Sequence, residues 1–310
     1  MYTRASMSRD SAKPDDIIPA ANVLGEGVLW DDGAATLWWT DIQSRELLRF
    51  DWATQTLKRT ALPHRLGSFG LIEDSGDIIA AFDSGIALFH PEEATLQWIS
   101  RPAAHLPQLR FNDGRVDRQG RFWTGTMIEG KPAGAEAMLY CVDTEGATDE
   151  HQRGLRITNG ICFSPDGGTL YLADSPRAII YCYDLDRATG TLHDRRVFAR
   201  TTGGAVPDGA NVDEHGCVWS AQWGGSRIVR YTPDGKIDRE LEVPVSQPTC
   251  IAFGGPDRDL LFVSSAREGL SATELAQQPQ AGDVLVYRVG VRGLPEPRFR
   301  GNLRTTAEDR

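Results

Sequence analysis

Short alternating or β-branched hydrophobic runs recur along almost the whole chain, and the period of 3.6 residues that marks amphipathic helices is nearly absent. Gly, Asp-Gly and Pro-Asp-Gly turns separate these runs. Strands with this alternation between such turns are typical of sheets with one buried face. The pattern therefore predicts an all-β protein.

The runs also align with one another as a repeat. Six copies are separated by intervals of 41, 44, 48, 48 and 43 residues, and they begin at Thr36, Asp77, Arg121, Thr169, Cys217 and Leu260. Units of about 40–50 residues with several short strands are the signature of a β-propeller. A large β-sandwich or two small barrels are alternatives, but neither predicts a constant period. We therefore expect a six-bladed β-propeller.

The fourth unit shows the expected strand order within a blade. "NGICFSPDG" is the predicted innermost strand, followed by "TLYLADS", "AIIYCYDL" and the outer "RRVFART". The last unit has only three clear strands, and residues 16–23 are expected to supply its fourth and so close the ring, which removes exposed sheet edges. We expect a disordered tail at 1–14, a single propeller domain at 15–300 and a C-terminal tail at 301–310.

One polar position per unit is expected to face the central channel. Innermost strands of a propeller surround this channel, so residues where they begin converge although they are far apart in sequence. The positions just ahead of these strands are 42, 44, 47, 49 and 41 residues apart: Glu26, Ser68, Asn112, Asn159, Asp208 and Thr249. Because the spacing follows the strand repeat, the six are predicted to ring the channel mouth at similar depth.

Four of the six ring residues carry a carboxylate or an amide, and such groups hold hard cations or bind polar ligands. Two carboxylates are costly to bury close together without a partner. A divalent cation would neutralise Glu26 and Asp208, with Asn159 as a neutral third ligand. A purely structural interpretation stays open, because Asn-Gly and Asp-Gly are also common turn dipeptides.

Composition and charge narrow the class of function. The formal net charge of −10 disfavours nucleic acid and anionic membranes as partners, and no apolar run approaches the length of a membrane span. The five cysteines include no C-x-x-C pair and are expected to be buried thiols in a reducing compartment. Without a segment that resembles a signal peptide, the expected location is the cytoplasm. No obligate protein partner is evident.

Other catalytic motifs are missing from the sequence. The six histidines fall outside the ring positions, and there is no G-x-S-x-G elbow, zinc-type His/Cys cluster or P-loop. Most tryptophans, such as Trp38, Trp123 and Trp219, lie in the strand repeats and are predicted to pack in the core. Trp223 is the exception, with a possible place near the channel mouth.

Five segments resemble the regucalcin (senescence marker protein) and gluconolactonase family of sugar lactonases, in the family's order and spacing. They are "LGEGVLW", "RFNDGRVDRQGRFWTGTM", "ITNGICFSPDGGTLYLADS", "VPDGANVDEHGCVWSAQWGGSRIVRYTPDG" and "CIAFGGPDRDLLFVSSAREGL". The resemblance covers about residues 20–290 and implies a six-bladed propeller. It implies metal ligation by Glu26, Asn159 and Asp208, with Asp208 also the general base, and substrate contacts from Arg110 and Asn112.

One departure from the family concerns an acidic residue shortly after "GTM" that binds substrate in some members. Here the stretch reads "GTMIEGKPAG", and Glu129 lies nearby without a definite alignment. Whether Glu129 contacts substrate is therefore left open.

The resemblance implies metal-dependent hydrolysis of an aldonolactone, such as gluconolactone, xylonolactone or arabinonolactone, to the aldonic acid. Three oxygen ligands suit calcium, magnesium or manganese, and zinc or ferrous iron also fit. Two alternatives stay open: a metal-dependent organophosphate or aryl-ester hydrolase, and a non-catalytic calcium-binding regulatory protein. A scaffold for protein partners is disfavoured by the polar ring.

Overall fold

The computed structural model describes residues 8–10, 13–130, 134–301 and 303. Within these residues, six antiparallel four-stranded blades follow one another along the chain. The prediction of a six-bladed all-β propeller is confirmed. Only one α-helix, Ala272–Gln277, and one turn of 3₁₀ helix, Ser175–Arg177, interrupt the strands of this part of the chain.

Each blade begins at the central channel and runs outward. The innermost strands are β3 (Gly25–Asp31), β7 (Leu66–Leu71), β11 (Leu109–Val116), β15 (Thr158–Phe163), β19 (Val206–Val212) and β23 (Pro248–Gly254). The second strands are β4 (Thr36–Asp41), β8 (Ile78–Phe82), β12 (Phe122–Ile128), β16 (Thr169–Asp174), β20 (Val218–Trp223) and β24 (Leu260–Ser265).

The outer half of each blade completes the sheet. The third strands are β5 (Glu46–Asp51), β9 (Gly85–His90), β13 (Ala137–Val142), β17 (Ile179–Leu185), β21 (Arg227–Tyr231) and β25 (Val284–Arg288). The outer strands are β6 (Thr56–Ala61), β10 (Thr95–Ser100), β14 (Thr148–Leu155), β18 (Leu192–Arg200), β22 (Ile237–Glu242) and, in the sixth blade, β2 (Asp16–Ile18). The four strands predicted for the fourth unit are those observed.

The sixth blade joins the two ends of the chain. Strand β2 pairs antiparallel with β25, with Ile17 opposite Leu285. The prediction that residues 16–23 supply the missing strand is confirmed. One further strand, β1 (Ser8–Asp10), pairs parallel with the outer strand β22 of the fifth blade.

The predicted tails fall mostly outside the described residues. Of residues 1–14, the structure describes only 8–10, 13 and 14, and of residues 301–310 it describes only Gly301 and Leu303. The boundaries of the single domain at residues 15 and 300 stay a prediction, as does the cytoplasmic location. No helix in the described part of the chain is long and apolar enough to cross a membrane.

The core is divided into six large clusters, each filling the space between two neighbouring blades. Blade-to-blade packing covers both faces of the inner strands, which explains why these strands are hydrophobic on both sides. Trp30 of the first blade stacks on Phe262 of the sixth, with ring centroids 5.7 Å apart. This contact between two large aromatic side chains joins the first and sixth blades where the ring closes.

The tryptophans of the strand repeats pack in these clusters, as predicted. Trp123 and Trp219 are fully buried, and each indole N–H donates to an aspartate in the turn after the innermost strand, Asp117 at 2.9 Å and Asp213 at 2.8 Å. A buried indole needs such an acceptor. The third and fifth blades therefore repeat the same core and turn arrangement.

A segment near the C-terminus, residues 293–300, crosses the end of the channel where the innermost strands finish. Gly293 bridges to Asp213 of the fifth blade and Phe299 bridges to Ile72 of the second. The carbonyl of Pro295 accepts from Arg118 of the third blade at 3.0 Å. We call these residues the closing segment and this end of the channel the closed end; the opposite end is the entrance.

Candidate active site

All six predicted ring residues are buried and lie on the innermost strands near the entrance. The prediction that they stand just ahead of these strands is wrong, because each is the second, third or fourth residue of its strand. Glu26 and Asn159 are second in their strands, Asp208 is third and Asn112 is fourth. Backbone pairing begins earlier than the apolar run suggests, because a polar side chain that faces a channel does not prevent its backbone from joining the sheet.

Each innermost strand carries an irregularity in its pairing next to the ring residue. In the fourth blade, Asn159 pairs with Ala173 and Cys162 with Tyr171, so that one extra residue is inserted in β15. Such β-bulges redirect a side chain and are common next to active sites. In four blades the side chain at this position, Glu26, Asn112, Asn159 or Asp208, lines one cavity, whereas the hydroxyls of Ser68 and Thr249 contact neighbouring strands instead.

The glycine after Asn159 allows the backbone conformation of this bulge. Gly160 has φ of 57°, a left-handed conformation that glycine adopts without strain, and an added Cβ would lie 2.8 Å from the carbonyl oxygen of Asp208. Both constraints exclude a larger residue. The Asn-Gly dipeptide is therefore part of a strand rather than a turn.

A cavity of about 230 Å³ opens at the entrance above these residues. One side is apolar and is formed by Leu24, Met127, Ile157, Val206 and Trp223. The polar side is formed by Glu26, Arg110, Asn112, Asn159, Ser175, Asp208 and Glu268. Every residue predicted to bind metal or substrate lies in this one cavity, and Trp223 lies at its mouth as predicted. Ser68 and Thr249 do not line it.

Glu26 and Asp208 are buried carboxylates that lack a cationic partner. No Lys or Arg nitrogen in the described part of the chain lies within 4.0 Å of either carboxylate. Burial raises the pKa of Glu26 well above its usual value, and the charges of Asp208 and Asp113 raise it further. The pKa of Asp208 is raised by burial and then by Asp113.

Asp113 is a third channel carboxylate that the sequence analysis missed. Its two oxygens accept from the backbone N–H groups of Gly114 and Ile161, each at 2.8 Å. Burial raises its pKa, and these two hydrogen bonds lower it. The charge of Asp113 acts on the ring, since it raises the pKa of both Glu26 and Asp208.

A chain of hydrogen bonds orients the two ring amides. Arg110 Nη1 donates to Asn112 Oδ1 at 2.7 Å, and Asn112 Nδ2 donates to Asn159 Oδ1 at 2.7 Å. Asn159 Nδ2 donates to Ser175 Oγ at 2.9 Å, and Ser175 donates to the carbonyl of Pro207 at 2.7 Å. A guanidinium only donates and a carbonyl only accepts, so both amide orientations are determined. The oxygen of Asn159 faces Asn112, and Asn159 lines the same cavity as Glu26 and Asp208.

These donors fit a hard divalent cation. Two buried carboxylates without an ion-pair partner and an oriented amide oxygen form the kind of oxygen set that calcium, magnesium and manganese accept. Among the described residues, no group of three or more His, Cys, Asp or Glu side chains is arranged to hold a metal ion. A site here therefore depends on the amide oxygen of Asn159, and Cys- or His-rich zinc chemistry is disfavoured.

Glu129 lies next to this site without lining the cavity. Arg65 Nη1 and Nη2 contact its two oxygens at 2.7 and 2.9 Å. Arg110 Nε lies 3.4 Å from Glu129 Oε1, which makes Glu129 a neighbour of the predicted substrate-binding arginine.

Three functional candidates were missed by the sequence analysis: Asp113, Ser175 and Glu268. Asp113 follows a ring residue directly, so the adjacent "ND" pair was an available signal. Ser175 lies in the 3₁₀ turn after β16 and Glu268 in the loop after β24. Neither has a sequence signal, because both reach the cavity from connections outside the innermost strands.

The chain is similar in sequence to a known protein family and to two named enzymes. The sequence model described as the SMP-30/gluconolactonase/LRE-like region matches residues 24–267 of the chain. A 6-deoxy-6-sulfogluconolactonase of Pseudomonas putida is 39% identical over 287 residues, covering 92% of this chain and 98% of the relative. An L-arabinolactonase of Azospirillum brasilense is 37% identical over 286 residues, covering 91% and 94%.

A solved structure gives the same relationship at the level of the fold. A crystal structure of a protein described as calcium-binding, regucalcin from Agrobacterium tumefaciens, is similar with a TM-score of 0.88 and 34% identity. The similarity covers 96% of this chain and 100% of the other. The resemblance stated from the five sequence segments is confirmed.

Proposed function

The chain belongs to the SMP-30/gluconolactonase/LRE-like family, and on that premise we propose that it hydrolyses a sugar lactone to the free aldonic acid. The observation that carries the proposal is the pair of buried carboxylates, Glu26 and Asp208, which face one cavity without a cationic partner. Two relatives of 37–39% identity are named as lactonases of sugar acids, which supports this substrate class.

The proposal includes one divalent cation, held by Glu26, Asn159 and Asp208. The similarity to a regucalcin structure described as calcium-binding supports a divalent metal. When bound, such a cation supplies Lewis-acid polarisation of the lactone carbonyl and lowers the pKa of water. The charge of the two carboxylates, costly when they are alone, is then offset.

Asp208 is the proposed general base. Hydrolysis consumes one water, whose oxygen bonds to the lactone carbonyl carbon while the bond to the ring oxygen breaks and that oxygen takes up a proton. Asp208 accepts a proton from the attacking water. A general base works best with a pKa near the operating pH. The raised pKa of Asp208, caused first by burial and then by Asp113, moves it in that direction.

Arg110 and Asn112 are the proposed substrate-binding residues. Both line the cavity, and Nη1 of Arg110 is used by Asn112 and by the carbonyl of Phe111 at 2.9 Å. The Nη2 group has no partner among the described residues and is available to a carbonyl or hydroxyl oxygen of the lactone. Holding the ester in one orientation contributes to the rate by removing rotational freedom before the reaction.

The first experiment follows acid release from a panel of aldonolactones: gluconolactone, xylonolactone, arabinonolactone and galactonolactone. The protein is assayed after chelation and again with calcium, magnesium, manganese, zinc or ferrous iron, with spontaneous hydrolysis subtracted. Turnover that returns with metal supports the proposal and identifies substrate and metal.

The same panel tests the alternatives. Tight calcium binding without turnover of any lactone would replace the proposal with a calcium-binding role. Faster turnover of phosphotriesters or aryl esters than of any lactone would favour the other hydrolase class. Glu296→Gln is a matched control for Glu26→Gln, because Glu296 is a half-buried carboxylate of the closing segment, beside Arg115 rather than the cavity.

A further inference from the structure

Arg65 holds Glu129 by a two-pronged ion pair at the border of the second and third blades. Its Nη1 and Nη2 atoms lie 2.7 and 2.9 Å from the two carboxylate oxygens. A planar guanidinium matches a carboxylate in this way, and such charge-assisted pairs are stronger than neutral hydrogen bonds. Each oxygen of Glu129 therefore has its short contact with Arg65, while Arg110 Nε is farther away, at 3.4 Å from Oε1.

Arg65 is itself held in place by Asp83. Its Nε donates to Asp83 Oδ2 at 3.3 Å, and its carbonyl accepts from the backbone N–H of Asp83 at 2.8 Å. The backbone N–H of Glu129 donates to the carbonyl of Gln108 at 2.8 Å. Both members of the pair are thus positioned by neighbouring backbone, which makes the pair a stable part of the site's border.

Arg110 has two possible acceptors. Its Nε is buried, makes no hydrogen bond and lies 3.4 Å from Glu129 Oε1, beyond the usual range for a hydrogen bond. Its Nη1 donates to Asn112 Oδ1 at 2.7 Å instead. A carboxylate is a stronger acceptor for a guanidinium than an amide is. Arg110 thus makes its short hydrogen bond to the weaker acceptor and only a long ion pair with Glu129, whose short contacts are with Arg65.

We propose that Arg65 is a positioning residue, which keeps Arg110 on Asn112 and facing the substrate cavity by occupying both oxygens of Glu129. In this arrangement Glu129 does not contact the substrate. The inference rests on the proposed function, since the role of Arg110 in binding a lactone belongs to that proposal.

The consequence extends beyond Arg110. Arg110 donates to the oxygen of Asn112, while Asn112 Nδ2 donates to the oxygen of Asn159 and to the carbonyl of Thr158 at 2.9 Å. If Glu129 is released and captures Arg110, the amide of Asn112 loses one of the contacts that hold it in place. Loss of Arg65 is therefore expected to weaken substrate binding first and to loosen the amide pair second.

The test is a double-mutant cycle with Arg65→Ala, Glu129→Gln and both together, assayed on the best lactone of the panel. Arg65→Ala is expected to raise KM about tenfold, as for one lost charge-assisted hydrogen bond, with little change in kcat. Glu129→Gln is expected to change KM less than about twofold, since a neutral amide does not capture Arg110. The double variant should return to the KM of Glu129→Gln. Arg49→Ala, which removes an ion pair with Glu92 on the first two blades, is the matched control and should leave KM unchanged.

Two results would overturn the inference. A large KM increase in Glu129→Gln that the double variant retains would show that Glu129 binds the substrate. An Arg65→Ala variant with a lower melting temperature and normal KM would show a purely structural role.

A crystal structure of Arg65→Ala separates this inference from the proposed function. The expected result is Arg110 Nε within about 3.0 Å of Glu129, with the contact to Asn112 lost. An unmoved Arg110 would contradict the inference. If the wild-type protein hydrolyses no lactone, the proposed function fails, and this structure still decides whether Arg65 positions Arg110.

Discussion

The two ends of the central channel are formed by the same six strands, but they differ in whether their buried carboxylates have cationic partners. At the entrance, Glu26 and Asp208 are buried without cationic partners. At the closed end, Arg115 lies 3.3 Å from Glu296, and Arg121 Nε lies 2.6 Å from Asp117. Buried charges without partners are costly and gather at functional sites. The comparison indicates that paired charges stabilise the closed end, while the entrance keeps the carboxylates of the proposed active site.

The closed end also has an apolar anchor in the closing segment. Phe299 of the closing segment is fully buried between the second and third blades, against Val116 and Phe122. The segment contacts the first, second, third and fifth blades through Arg298, Phe299, Pro295 and Gly293. It thus ties separate blades together at one end, which leaves the other end free to hold a cavity.

The largest expected effect is on activity, and it distinguishes substitutions at the entrance from substitutions at the closed end. Asp208→Asn and Glu26→Gln should each lower kcat/KM by about a thousandfold, the range expected when a base or metal ligand is lost. Glu296→Gln should stay within about twofold, because it faces Arg115 rather than the cavity. Initial rates with saturating metal measure both. Near-normal turnover by a metal-loaded Asp208→Asn variant would remove Asp208 from the mechanism.

The next effect separates the ends by stability. Phe299→Ala should lower the free energy of unfolding by about 3–5 kcal/mol, the usual cost of removing a buried phenyl ring from a core. Urea unfolding measures this, with the exposed Arg300→Ala as control. Activity at low temperature should remain within about twofold if the entrance is independent of the closing segment. A large loss of kcat in the folded variant would show that the two ends are coupled.

Ser175→Ala tests the hydrogen-bond chain at the entrance. Without its hydroxyl, Asn159 Nδ2 loses its acceptor, and the orientation of the Asn159 amide is less well defined. Residues that orient metal ligands typically contribute about 10- to 100-fold in affinity. We expect a metal dissociation constant about tenfold higher by calorimetry. Ser164→Ala, in a turn at the closed end, should leave it unchanged.

The smallest effect is on the stability of the metal-free protein. Glu26→Gln should raise its free energy of unfolding by about 1–2 kcal/mol at pH 8, because one of two repelling carboxylates is removed. The pKa values of Glu26 and Asp208 are raised in the folded protein. The contribution of these two groups to the free energy of unfolding is therefore fully present below their unfolded pKa of about 4 and is lost as the pH rises through the folded values.

Urea unfolding of chelated protein at pH 4 and pH 8 measures this difference. The difference in the free energy of unfolding between wild type and Glu26→Gln should be near zero at pH 4 and should appear at pH 8. Added metal should reverse its sign. An equal gap at both pH values would show that the two carboxylates do not repel in the folded protein.

The amino-acid sequence alone determined the repeat and the ring. A blade needs four strands of alternating pattern and a turn of set length, so these local requirements recur every 41–48 residues and are readable. Glu26, Asn112, Asn159 and Asp208 were found because each occupies the same place in its repeat. Their presence in one cavity follows from the symmetry of the fold.

Other features required the tertiary structure, because they depend on contacts between blades that no repeat specifies. The hydrogen bond from Ser175 to the carbonyl of Pro207 joins the fourth and fifth blades, and the pair of Arg65 with Glu129 joins the second and third. The closing segment has no strand pattern, and its place was decided by Phe299 filling a gap between two blades. The sequence thus determined the features that recur in every blade. The packing of the blades decided which unlike side chains meet, because the distance between side chains of different blades is set by the closed ring and not by their separation along the chain.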